Sequence, residues 1–253
     1  MKAKDFLLRF AIAICFALTA SNTFAYDFEV DGIYYNVTSL ENLEVEVTSC
    51  DAAEYKGDVV IPKTVVYKNR ELRVTSIKDN AFSGCSGLTS VNIPNSVTTI
   101  GYFAFFDCDA LTSVKIGNGV TSIGYYAFAG CENLETVVLP ESVKTIGRYA
   151  FAGAVSLVSA DLPDTVTELG SHAFFGCSSL TNAVIPVGVT RLAPSVFEDC
   201  TSLETVVLHD GIKTIGESAF EGCTLLTNIN VPNTAAVKDY AFDGCAKLDS
   251  QKN

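Results

Sequence analysis

Apolar positions recur along this chain with a fixed spacing. From Val74 onward the pattern L-x-x-V-x-I-P, V-x-x-I and A-F repeats, as in Leu134, Val137, Leu139, Val143, Ile146 and the preceding Ala127 and Phe128. One phenylalanine returns at Phe82, Phe105, Phe128, Phe151, Phe174, Phe197 and Phe220 in steps of 23, then at Phe242 after 22. A period of this length marks a solenoid, in which a unit too small to bury its apolar side alone stacks on its copies. The V-x-I alternation has the two-residue period of a strand, so the inward valine lies between outward-facing neighbours. Equivalent strands then form a parallel ladder with a spacing of about 4.8 Å.

Turn chemistry supports the same unit. Proline ends the strand at Pro94, Pro140, Pro163, Pro186 and Pro232, where ladder pairing must stop. Two residues after each phenylalanine the chain carries only Gly or Asp, from Gly84 and Asp107 to Gly244. That choice predicts a left-handed residue closing a short helical turn. The expected fold is therefore an α/β repeat solenoid, a right-handed coil of about eight 23-residue units with a parallel sheet, short helical turns and an N-terminal β cap.

Residues 26–73 do not form a full repeat. The runs FEVDGIYYNV and EVEV predict strands, with Asp31 and Gly32 suited to a hairpin turn. Val65 to Arg73 read as a hairpin inserted ahead of the first full unit. Three segments follow: 1–25, a β cap with a first partial coil over 26–73, and the repeats over 74–253. After Leu248 only DSQKN remains, so the last coil is expected to lack its strand.

The repeats, with Cys following A-F-x-x in most copies, resemble the BspA-like leucine-rich repeats over Val74 to Leu248. Departures occur at Ala154, where the motif has cysteine, and around Ala193 and Pro194. The resemblance implies a secreted or cell-surface protein, bacterial in type, that adheres to host or neighbouring-cell components. It transfers scaffold positions only, because the motif contains no catalytic residue.

The first 25 residues carry Lys2, Lys4 and Arg9, an apolar stretch from Phe10 to Ala20, and small residues Thr23 and Ala25. This order predicts a signal peptide cleaved after Ala25, and hence a secreted or cell-surface location. The apolar stretch is too short for a membrane span. Ile14 stands where lipidation at Cys15 would require a small residue. Cleavage would remove three basic residues and one acidic, taking the net charge from −12 to −14. A surface so acidic repels phosphate backbones, which argues against nucleic acid as a partner.

Seven of the nine cysteines, Cys85, Cys108, Cys131, Cys177, Cys200, Cys223 and Cys245, share one repeat position. Parallel stacking about 5 Å apart does not suit disulfide geometry, so these are expected to be buried free thiols. Cys50 could be free or paired. No C-x-x-C or cooperating histidine suggests zinc, no calcium loop is present, and no cofactor is implied. His172 and His209 occupy different repeat positions and read as exposed residues outside any catalytic set. The sequon at Asn36 has a meaning that depends on the host.

Two stripes are candidate binding surfaces. The outward sheet ladder comprises Asn92, Lys115, Val138, Asp161, Val184, Val207 and Asn230. The aromatic stripe before A-F comprises Tyr102, Phe103, Tyr125, Tyr126 and Tyr149, with Phe106 nearby. Stacked aromatics could simply cover the turn edge, whereas Tyr and Phe also suit an interface core. The reading is a non-catalytic binder of an extracellular protein or glycan. A rival reading is an assembly module that self-associates through its terminal coil.

Overall fold

A computed structural model of the chain describes residues 26–49 and 54–250. The signal-like stretch 1–25, including Cys15, and Cys50 lie outside the described residues. The repeats wind into a solenoid of about seven turns of roughly 23 residues, with Phe242 stacked on Phe220 beyond them.

Each turn contributes one strand to each of two parallel ladders. The first runs through β4 (Lys56–Val60), β7 (Gly87–Asn92), β9 (Ser113–Lys115), β11 (Thr136–Val138) and β13 (Ser159–Asp161), in register at one repeat per step from β7 onward. It resumes in β15 (Asn182–Val184), β17 (Thr205–Val207) and β19 (Asn228–Ile229). The second runs through β3 (Glu44–Thr48), β6 (Arg70–Ile77), β8 (Thr99–Ile100), β10 (Ser122–Ile123), β12 (Thr145–Ile146) and β14 (Glu168–Leu169). It resumes in β16 (Arg191–Leu192), β18 (Thr214–Ile215) and β20 (Ala236–Val237).

Both interruptions fall between the same two coils. Elsewhere each facing pair contains at least one β-branched residue, as in Val137 with Ala160, Ala183 with Val206, Ile146 with Leu169 and Leu192 with Ile215. At the interruption neither ladder has one. Ala160 would face Ala183, and Leu169 would face Leu192. Branched side chains pack best on a pleated surface, so pairing lapses where that packing is weakest, although β13 and β15 remain adjacent.

The third side consists of turns rather than helix, and α1 (Ala246–Ser250) is the one helix among the described residues. The expected short helical turns are thus corrected. Two left-handed residues per unit, such as Tyr126 (φ 56) and Gly130 (φ 76), exclude a helical run between them. Backbone N–H groups alternate between the next coil, as Phe105 N to Ala127 O and Phe128 N to Ala150 O, both at 2.7 Å, and single local turns, as Ala129 N to Tyr126 O at 3.2 Å. The Gly or Asp two residues after each phenylalanine is left-handed in all eight copies, from Gly84 to Gly244.

Inside, the phenylalanines form one column of near-parallel rings, from 4.8 Å between Phe82 and Phe105 to 5.6 Å between Phe197 and Phe220. Phe82 through Phe220 are buried in a single core with the inward Val, Ile and Leu residues. Tyr55 lies 4.4 Å from Phe82 and extends the column into the cap. The cap begins with β1 (Phe28–Val30) and β2 (Ile33–Ser39), antiparallel around a tight turn with both Asp31 and Gly32 left-handed. β5 (Thr64–Tyr67) folds back on β6 through a similar turn at Lys68 and Asn69.

Candidate functional site

On the first ladder the inward residue is buried and its neighbours face solvent, because successive strand side chains point to opposite faces. Asn92, Lys115, Val138 and Asp161 pair directly in register and are all exposed. Val184 pairs with Val207 on the far side of the interruption. Asn230 is exposed but lies beyond the end of β19. Val138, Val184 and Val207 are 73%, 54% and 50% exposed, a high value for apolar side chains in ordered strands. Val60, 65% exposed and paired with Asn92, extends the row by one coil. Its VVIP segment carries the same outward position as the repeats, which is the signal that identifies it.

The aromatic stripe divides into two columns of different character. Tyr102 and Tyr125, three residues before their phenylalanines, stack at 5.0 Å and are 49% and 47% exposed. Phe103, Tyr126 and Tyr149, two residues before, stack at 4.8 and 4.6 Å. These pack with Phe106, Ala129, Ala152 and Phe175 into a small second core outside the main one. All three have a left-handed backbone (φ 55, 56 and 57), an unfavourable state for aromatic residues that their packing must offset. Burial raises the Tyr126 hydroxyl to about 12 and raises Tyr149 as well.

His172 belongs to this inner column. Its ring stacks on Tyr149 at 4.3 Å and its backbone is left-handed (φ 58). Its expected exposure is therefore corrected to half-burial, with Nδ1 enclosed and without a hydrogen-bond partner. Burial, and then the charge of Arg148, lowers its pKa to about 4. His209 is also half-buried. Its Nε2 lies 3.0 Å from Val189 O and its Nδ1 accepts from Gly211 N, so the ring takes over the strand-end turn where most other copies have proline.

The seven repeat cysteines are free and buried. Each thiol from Cys108 onward lies 3.0–3.2 Å from the carbonyl of the phenylalanine one coil back, for example Cys131 Sγ to Phe105 O at 3.0 Å. Cysteine therefore supplies a small apolar body and a weak donor at one position. Burial pushes Cys85 up to about 11 and raises Cys177 and Cys223 further. Such thiols stay protonated and unreactive at neutral pH. Among the described residues no group of three or more His, Cys, Asp or Glu could hold a metal ion, and no helix is long and apolar enough to cross a membrane.

Known proteins match this architecture. Residues 67–177 and 121–249 match the BspA type Leucine rich repeat region, in six copies. A leucine-rich repeat protein from Bacteroides ovatus is 36% identical with a TM-score of 0.77, over 83% of this chain and 54% of that one. The chain thus spans about half the length of that relative. The T. pallidum leucine rich repeat protein is 29% identical with a TM-score of 0.71, over 83% of this chain and 99% of its own. No curated protein matches the chain. The repeat motif, its eight left-handed Gly or Asp positions and these matches agree, and the chain belongs to the BspA-type leucine-rich repeat family.

Proposed function

We propose that this chain is a secreted or cell-surface module that binds an extracellular protein or glycan, without catalysis, through the outward ladder of its first sheet. The observation that carries this reading is the row of exposed side chains from Val60 to Asp161 and at Val184 and Val207. These positions have no packing duty inside the fold, yet they are held at fixed spacing by the strands beneath. A rigid row with a few apolar anchors suits an extended partner, since a few anchors commonly carry most of the binding energy. Three of the five stripe aromatics, by contrast, are engaged in packing. The family assignment and the signal-like start support export.

The test is binding of purified protein to a panel of immobilised extracellular matrix proteins and glycans that lack uronic acids. Val138→Glu combined with Val184→Glu and Val207→Glu should abolish capture of any probe bound by the wild type, with an unchanged melting temperature. Tyr102→Ser with Tyr125→Ser should leave that capture intact. The reverse pattern would remove the sheet face as the site.

A further inference from the structure

We propose that the turn edge carries a second site, separate from the sheet face, that takes a carboxylated sugar of the hexuronic acid type on Tyr125 and Arg148. Between Asp79 at one end of the outer column and Glu217 and Asp239 at the other, Arg148 is the single cation. Its Nε donates to Ser171 Oγ at 2.9 Å, and its guanidinium carbon lies 6.0 Å from the centre of the Tyr149 ring. The Ser171 bond orients the guanidinium, and Arg148 is exposed, so its fork can be reached from solvent. No carboxylate among the described residues forms an ion pair with it. A preset, unpaired guanidinium fork matches a carboxylate through two parallel hydrogen bonds.

The surroundings narrow the ligand. Tyr125, Tyr126, Arg148 and Tyr149 enclose an open notch of about 250 Å³, and because Tyr102 covers one face of the Tyr125 ring at 5.0 Å, the opposite face is the one turned to the notch. A tyrosine face with a phenol at its rim accepts the C–H face of a pyranose ring and offers a polar handle to its hydroxyls. A phosphate or sulfate can also meet a single guanidinium, but the sites that favour these more highly charged groups gather several cations, and this column has Arg148 alone. An extended peptide adding along this edge would need free backbone groups. Here Phe103 N and Tyr126 N are already bonded to Tyr125 O and Arg148 O.

The experiment is an NMR titration of the full chain with methyl glucuronide, methyl glucoside and sodium acetate, following the Arg148 Nε–H and Tyr125 ring signals. Saturable shifts with the glucuronide are expected, with the glucoside at least about tenfold weaker because the paired carboxylate is missing. Arg148→Gln and Arg148→Lys should each weaken glucuronide binding about tenfold, since neither retains the fork. Tyr125→Ser should weaken it similarly. Both positions are exposed, so melting temperatures should hold in all three variants, and Val184→Glu with Val207→Glu should bind the glucuronide normally. Equal binding of the glucoside, full displacement by equimolar acetate, unchanged affinity in Arg148→Gln, or no saturable shift in the wild type would each overturn the assignment.

Discussion

The coils up to Phe174 and those from Phe197 onward follow one motif, but they are joined to their neighbours differently. Up to Phe174 both ladders are continuous, and an inner column of Phe103, Tyr126, Tyr149 and His172 covers the turn edge. From Phe197 onward each ladder has three strands, and the inner column continues as Ser195 and Ser218. Across the boundary the phenylalanine stack persists, with Phe174 and Phe197 5.4 Å apart at 7°. The turn-side bonds also persist, with Phe174 N to Val196 O at 3.0 Å. Ring packing and turn bonds therefore carry most of this join, helped on the first-sheet side by Thr181 N to Val158 O at 3.3 Å. Strand pairing in such short strands depends on which side chains face each other one coil away.

The largest expected effect breaks that comparison at its strongest element. Phe128→Ala, inside the continuous region, should cost about 3 to 5 kcal/mol in a single urea transition. Phe174→Ala removes a ring at the boundary and should give two separated transitions, because the remaining connections there are fewer. One sharp transition in both variants would show that the boundary has no energetic meaning.

A smaller effect sharpens the pairing argument. Ala183→Val with Leu192→Ile places a β-branched residue opposite Ala160 and Leu169, and should stabilise the chain by about 1 kcal/mol. Amide exchange in β15 and β16 should slow with it. A lower melting temperature would mean that the site has no room and that overpacking, not branching, governs the interruption.

The smallest effect concerns His172, which ends the aromatic column at the boundary. Its pKa is lowered to about 4, first by burial and then by Arg148, so the fold favours the neutral ring. The associated stability is complete above the unfolded value of about 6.5 and is lost as pH falls from there toward 4. His172→Phe should therefore lose less melting temperature between pH 7 and pH 4 than the wild type. Equal losses would place the acid sensitivity elsewhere.

Much of this was legible along the chain. The inward Phe, Val and Ile positions and the Gly or Asp after each phenylalanine are repeated often enough to read directly, because each answers to its own coil. The interruption was not legible, since Ala160, Ala183, Leu169 and Leu192 all keep the apolar pattern. Their effect arises only when two of them meet across a coil. The half-burial of His172 is hidden in the sequence for a related reason. Polarity alone suggests solvent, whereas its burial comes from Tyr149 on the coil before and Phe175 beside the turn. Likewise the buried role of Phe103, Tyr126 and Tyr149 depends on Ala129 and Ala152 leaving space for them.

The β5–β6 hairpin has a further consequence for how the chain finds one arrangement. A stack of near-identical coils is degenerate: a segment displaced by one whole period would still place Phe on Phe and Val on Val, with little loss of energy. Irregular elements act as index marks against that error. The hairpin at Lys68 and Asn69 occurs once, and its Thr64–Tyr67 strand occupies the edge of β6 antiparallel, where no displaced repeat could substitute for it. It thereby numbers the coils from one end, so that of the many stackings one period apart only one leaves every edge matched.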